Sequence, residues 1–340
     1  MFTFIAVAVD SSEHTEDFVK SGLSFKQIFQ NYYIGFIPYI WGLLFPLFVF
    51  IAVIYFTSRM AARSEIVAIL AGGCSYNRFL RPYLLGGILL ASLLLIANRE
   101  FIPKGNEIRG NFQVKYLDGF DKFGSDASDT YYRRSDSNSY IGIRFYDSVN
   151  KKANGFFLHR TKENKVIYNL RSESMKWDTA KRNWLLTNAL ERKLTERGEE
   201  VSLKNEMNID LNIKPSDLRK DKYLKDKLTV DQLESFIELE ELRGSEGLNT
   251  LKIEHYRRTA AAVSVILLTL IGAVIASKKT RGGSGLHIAL GFIIATLFIM
   301  TDRFSSTFSV KGNLPPLLAA WMPNIIFSIV GFRLYKKAAK

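Results

Sequence analysis

Residues 32–57 read YYIGFIPYIWGLLFPLFVFIAVIYFT, 26 residues without a charge. Bilayer hydrocarbon about 30 Å thick needs roughly 20 residues of helix, whose backbone polar groups must pair within the segment. This run meets that length outright. Working outward, shorter apolar runs cover 82–97, 259–277, 284–301 and 314–332, and uncharged flanks extend them. Between 98 and 258 nothing is long or apolar enough to cross. The pattern predicts a polytopic α-helical membrane protein with one inserted water-facing domain. A mean hydropathy of +0.02 hides this, because it averages apolar ends with a polar centre.

The formal net charge is +13, and its placement argues against nucleic acid. Arg59, Arg63, Arg78 and Arg81 follow the 32–57 run, with Glu65 the sole acid among them. Lys278, Lys279 and Arg281 separate the next pair of spans, and Arg333, Lys336, Lys337 and Lys340 close the chain. The alternate loops, 10–31 and 301–313, are nearly neutral. Short basic loops stay in the cytoplasm, which places the middle domain on the far side. One cysteine, Cys74, excludes an internal disulfide and a cysteine zinc site.

Met1–Val9 is apolar but too short to span, and it lacks the basic start and cleavage site of a signal peptide. It reads either as the end of a truncated first span or as a short interfacial stub. Pro38 and Pro46 should kink the 32–57 span without ending it. Residues 60–80 read as an amphipathic helix with Ile66, Ile69 and Leu70 on one face and a Gly72-Gly73 break, suited to a membrane face or a partner groove. Pro82 restarts a helix toward residue 100.

The centre breaks into candidate strands at 139–146, 154–159, 165–171 and 183–190, with turns or mobile loops at 121–130 and 147–154. In the first strand Ile141, Ile143 and Phe145 alternate with Gly142, Arg144 and Tyr146, the period of a half-buried strand. Leu228–Leu242 reads as a helix capped by Thr229, with Leu233, Phe236 and Ile237 inward. An all-β insert follows, a sandwich or an open barrel. The division expected is an N-terminal membrane region over 1–104, an insert over 105–250 and a C-terminal membrane region over 251–340.

Glu65 to Gly73 (EIVAILAGG), followed by Arg78 and Pro82, resembles the cytoplasmic coupling helix of the LptF/LptG permease family. Asn98 to Asn106 (NREFIPKGN) is similar to the segment leaving that family's third span. Gly312 to Asn324 (GNLPPLLAAWMPN) resembles the start of its sixth, and Lys176-Trp177 with Trp184 to Asn188 resembles its central strands. The order and spacing of these segments cover nearly the full length. The resemblance implies six spans around a periplasmic β-jellyroll in the inner membrane. It also implies a paired LptF/LptG-type subunit, an LptB-like ATPase dimer and an LptC-like periplasmic bridge protein. Together these extract lipopolysaccharide and pass it onward. Two departures are a truncated first span and His255 to Ala262 (HYRRTAAA), where the family often carries a proline.

No GxxxxGK[ST] signature is present, so transport must draw on a separate ATPase subunit. Neither GxSxG nor HExxH occurs, and the four histidines show no ligand spacing; no cofactor or metal is expected. By the resemblance, Glu65 with Arg63, Gly72 and Arg78 forms the ATPase-coupling surface. On the residues alone Glu65 pairs equally well with Arg63 or Arg78, and the glycines suit ordinary helix termination. Lys20, Lys26 and Arg303 stand at the outer boundary, where they contact anionic headgroups of the cargo or anchor to ordinary lipid. Ile141, Ile143, Phe145, Phe156 and Trp184 line either an acyl-chain path or a plain core. The competing functions are a membrane-anchored periplasmic scaffold or binding protein, and a membrane enzyme.

Overall fold

A computed structural model describes residues 2–118, 131–136, 138–147, 150–162, 165–179, 181–195, 198–211, 213–218, 223–242, 244, 247–280 and 283–338. The expected turn at 121–130 lies outside them. The chain forms two units. One holds residues 1–112, 225–234 and 249–340; the other holds 113–224 and 235–248.

The first unit is helical. Its elements are α1 (Phe2–Glu13), α2 (Thr15–Lys20), α3 (Phe25–Ala62), α4 (Glu65–Ala71), α5 (Tyr76–Leu117, shared with the second unit), α6 (Leu224–Lys227), α7 (Val230–Leu242, likewise shared), α8 (Leu248–Ala276), α9 (Gly283–Lys311) and α10 (Pro316–Ala338). Among the described residues α3, α5, α8, α9 and α10 are long and apolar enough to cross a membrane. Buried residues make up 61% of the apolar window of α8 but only 17–28% in the other four, so α8 is the central helix. Its small residues explain this. Ala260, Ala262, Gly272, Ala273 and Ala276 are buried, and a Cβ on Gly272 would stand 3.1 Å from the Phe50 ring. Small side chains let helix backbones approach where lipid offers no hydrophobic drive. Leu47, Phe50 and Ile54 of α3 pack there against Leu268 and Ile271 of α8 and Phe327 of α10.

Three expected boundaries shift. Residues 10–31, read as a loop, are largely helical in α1, α2 and the start of α3, and residues 301–313 are mostly the last turns of α9. Polar side chains at a membrane boundary do not stop a helix that pairs its own backbone. The helix expected over 60–80, with its break at Gly72-Gly73, is three pieces: the end of α3, then α4, then α5 from Tyr76. Ser64 breaks it first with a left-handed φ of 62°, and Gly73 again at 87°. Ser75 caps α5 by accepting from the Arg78 amide, so that helix starts before Pro82. Thr229 caps α7 as expected by accepting from the Gln232 amide, and Gln232 Oε1 accepts from the Thr229 amide in return.

The second unit carries β1 (Tyr131–Asp136), β2 (Ser139–Asp147), β3 (Lys152–Lys162), β4 (Lys165–Asp178), β5 (Asn183–Thr195) and β6 (Gly198–Ile209). They pair antiparallel in sequence order as one six-stranded sheet. Neither a sandwich nor a barrel is formed by the described residues: the strands make one open sheet, with β1 and β6 at its edges. Ladder pairs skip Arg144, Gly155, Glu173, Asn188 and Asn205, one residue in each of five neighbouring strands. Gly155 and Asn188 have φ of 69° and 53° there. The skipped row is a crease, and the side-chain parity changes across it. Ile141, Ile143, Phe156, Leu158 and Leu170 are buried on one side of it, and Ala153, Met175, Trp184 and Leu186 on the other. The same change corrects the reading of Phe145. Past Arg144 it is Tyr146 that packs on the core, while Phe145 is half-buried outside it.

Candidate functional site

A cavity of ≈ 260 Å³ opens in the helical unit. Leu43, Leu44 and Leu47 of α3 with Phe298 and Ile299 of α9 give it apolar walls, and charged groups from α6, α8 and α9 line the remainder. Arg257 contacts Asp302 at 3.2 Å and donates to Ser306 Oγ at 2.6 Å. Arg258 is buried; it donates to the Leu228 and Lys225 carbonyls at 2.8 and 2.9 Å and to Glu254 at 3.4 Å. This guanidinium ties the returning chain to the central helix. Asn106 of α5 donates to the Asp226 carbonyl at 2.9 Å. Burial pushes the Asp226 carboxyl above its ordinary range, and the charge of Glu254 adds to the rise. Asn324 of α10 accepts from Ser264 Oγ at 2.7 Å and donates to the Ala260 carbonyl at 2.8 Å.

Ionisable side chains cluster in a membrane helix bundle only where they are paired or face a polar cavity. Here apolar walls meet a rim of guanidinium and carboxylate groups. Such a surface can hold an amphiphile by its hydrocarbon and orient its charged head. Of the three expected headgroup contacts, Arg303 lines this cavity. Lys20 is exposed and lies 3.5 Å from Glu16, and Lys26 is exposed in the first turn of α3; neither lines the cavity. The sequence reading missed Arg257, Arg258, Glu254 and Asp302. The available signal was Asp302 itself, an acid directly abutting an apolar run.

At the other end of α8 the three basic segments gather around α4. Lys279 Nζ donates to Ser64 Oγ at 2.8 Å, and Tyr76 of α5 bonds Ser277 at 3.0 Å. Lys278 Nζ donates to the Lys337 carbonyl at 3.2 Å, and Tyr335 donates to Asn77. α4 itself is held by Ile66, which is 1% exposed, while Val67 and Ile69 face outward. Glu65 lies 3.7 Å from Arg63, both side chains well exposed. Arg78 and Gly72 are exposed as well. A surface pair of that kind is worth about 0–1 kcal/mol, so Glu65 can exchange it for an outside partner. In the insert, Ile141, Ile143, Phe156 and Trp184 pack together in one core, and Trp184 Nε1 donates to the Ile213 carbonyl at 2.8 Å.

The family model of the lipopolysaccharide export system permease LptF/LptG matches residues 1–337. The chain belongs to that family. It is thus a permease component of lipopolysaccharide export in the inner membrane, consistent with its five membrane-length helices and its inserted β unit. A comparison with curated proteins found no match for this permease.

Proposed function

We propose that this LptF/LptG-family chain works in an ATP-driven complex that lifts lipopolysaccharide from the inner membrane and passes it along the inserted β unit. In this reading α4 docks on an LptB-like ATPase dimer. A second LptF/LptG-type subunit completes the helical chamber, and an LptC-like bridge protein receives the lipid in the periplasm. The observation that carries the proposal is the gathering of three basic segments around the short, exposed α4. Basic connections mark the cytoplasmic face, and α4 offers a loosely paired carboxylate there.

The cavity supplies the other half of the argument. Arg303 at its rim suits the phosphates of an anionic glycolipid, and Leu43, Leu47 and Ile299 suit its acyl chains. In the insert, the acyl path runs along the core face of Ile141, Ile143, Phe156 and Trp184. Those side chains belong to one packed core, so lipid passage requires that core to open. Phe145 leaves the proposed path, because it lies outside that core.

Glu65→Ala in the full complex tests the reading. Loss of ATPase co-purification, or of ATP-driven lipid release, supports it. If the variant keeps both, α4 is not the coupling element. Absence of an ATPase partner from the unaltered complex would favour a scaffold.

A further inference from the structure

We infer that the turn after α8, residues 277–280, relays movement of α4 to the helices lining the cavity, with Lys279 and His287 as positioning residues. The inference rests on the reading of α4 as the ATPase contact. Ser64 precedes α4 with a left-handed φ, a conformation a non-glycine residue keeps only when its surroundings hold it. Its hydroxyl accepts from Lys279 Nζ at 2.8 Å. The same turn is fixed from three further sides. His287 of α9, 3% exposed, has Nε2 2.9 Å from the Lys278 carbonyl. A carbonyl only accepts, so Nε2 carries the proton. Tyr76 of α5 donates to Ser277 Oγ, which itself donates to the Val274 carbonyl at 2.8 Å. Lys278 reaches the last turn of α10 through the Lys337 carbonyl.

The turn is therefore continuous with α8 and clamped to α9, and it touches the start of α4. Those two helices bring Glu254, Arg257, Arg258, Asp302 and Arg303 to the cavity. α8 is also the most enclosed helix, so it shifts as a body instead of bending locally. α4 is short and exposed except at Ile66 and Leu70, so a push from outside lands on it first. A push on α4 reaches the cavity rim by way of Lys279 and His287. Two helices packed in this way make a contiguous route, and energetic coupling is what would establish it.

The test uses the full complex in vesicles and reads ATP hydrolysed per lipopolysaccharide transferred. Lys279→Met and His287→Leu should each raise that ratio about threefold or more while the ATPase still co-purifies. Lys279→Arg and His287→Gln keep a donor and should restore it. Ser64→Ala combined with Lys279→Met should be no worse than either change alone. Lys279 is exposed, so its variants read the relay even where a His287 variant fails to fold. An unchanged ratio in Lys279→Met overturns the relay, as does loss of the ATPase from that variant, which would make the lysine part of the docking surface. Failure of the α4 reading shows separately: a photo-crosslinker at Val67 of the otherwise unaltered chain would then give no ATPase adduct.

Discussion

Arg257 of α8 and Asp302 of α9 meet at 3.2 Å across the cavity, each keeping about a quarter of its side chain exposed. They join the central helix to a helix that otherwise faces largely outward, which makes the pair a structural tie of the site as well as part of its rim.

Removing one partner leaves the other half-desolvated. Asp302→Ala is expected to cost about 2 kcal/mol, less than the roughly 3–5 kcal/mol of a fully buried pair, because water and Glu254 still reach the guanidinium. Arg257→Met added to it should recover more than half of the lost melting temperature in detergent. Single and double variants that melt together would show that the pair carries no stability.

Gly35 sets the crossing of α3 and α5. A Cβ there would stand 2.3 Å from the Gly105 carbonyl oxygen, a backbone atom that cannot swing away. Gly35→Ala should destabilise by about 1–3 kcal/mol, the usual cost of overpacking. Gly86→Ala, on α5 with nothing within 4 Å, is the control. Equal melting of the two variants would rule out a tight crossing.

Glu191 makes the insert acid-sensitive. Lys204 at 2.9 Å, Lys193 at 3.1 Å and the Tyr168 hydroxyl at 3.0 Å surround its buried carboxylate and hold its pKa down to about 2 from an ordinary 4.5. A depressed carboxylate stabilises the fold above its unfolded pKa and loses that contribution as pH falls through the folded one. The melting temperature should therefore drop between pH 4.5 and pH 2. Glu191→Gln should melt lower at pH 7 and respond less to acid over that window. A variant with the unaltered acid limb would remove Glu191 as its cause.

Orientation can be read with the chain's one cysteine. Cys74, half-buried after α4, should react with a membrane-impermeant maleimide only after spheroplasts are permeabilised. Lys165→Cys, exposed at the start of β4, in a Cys74→Ser background should react in intact ones. The reverse pattern would invert the topology.

The spans were legible in sequence because lipid demands long uncharged runs, and β2 to β5 because their burial alternates. β6 (GEEVSLKNEMNI) was missed for the opposite reason. Most of it is exposed on the sheet edge, and its alternating row of Val201, Leu203, Met207 and Ile209 is broken at Asn205. Phe145 was misread because a crease residue, Arg144, resets the alternation that placed it. The cavity was illegible because its contacts are remote in sequence. Asn98 bonds the Arg258 carbonyl 160 residues away, and Arg257 meets Asp302 across the turn between α8 and α9. A charge beside an apolar run signals function, but its partner emerges only when helices pack.

The central claim is that ATP drives lipopolysaccharide from the helical cavity onto the core face of the insert. Photo-crosslinkers at Ile299, Ile143 and Phe145 of the reconstituted complex test it most directly. The account predicts a lipid adduct at Ile299 without nucleotide, an adduct at Ile143 only with ATP, and none at Phe145. Equal capture at Ile143 and Phe145, or capture at Ile143 without ATP, would contradict it.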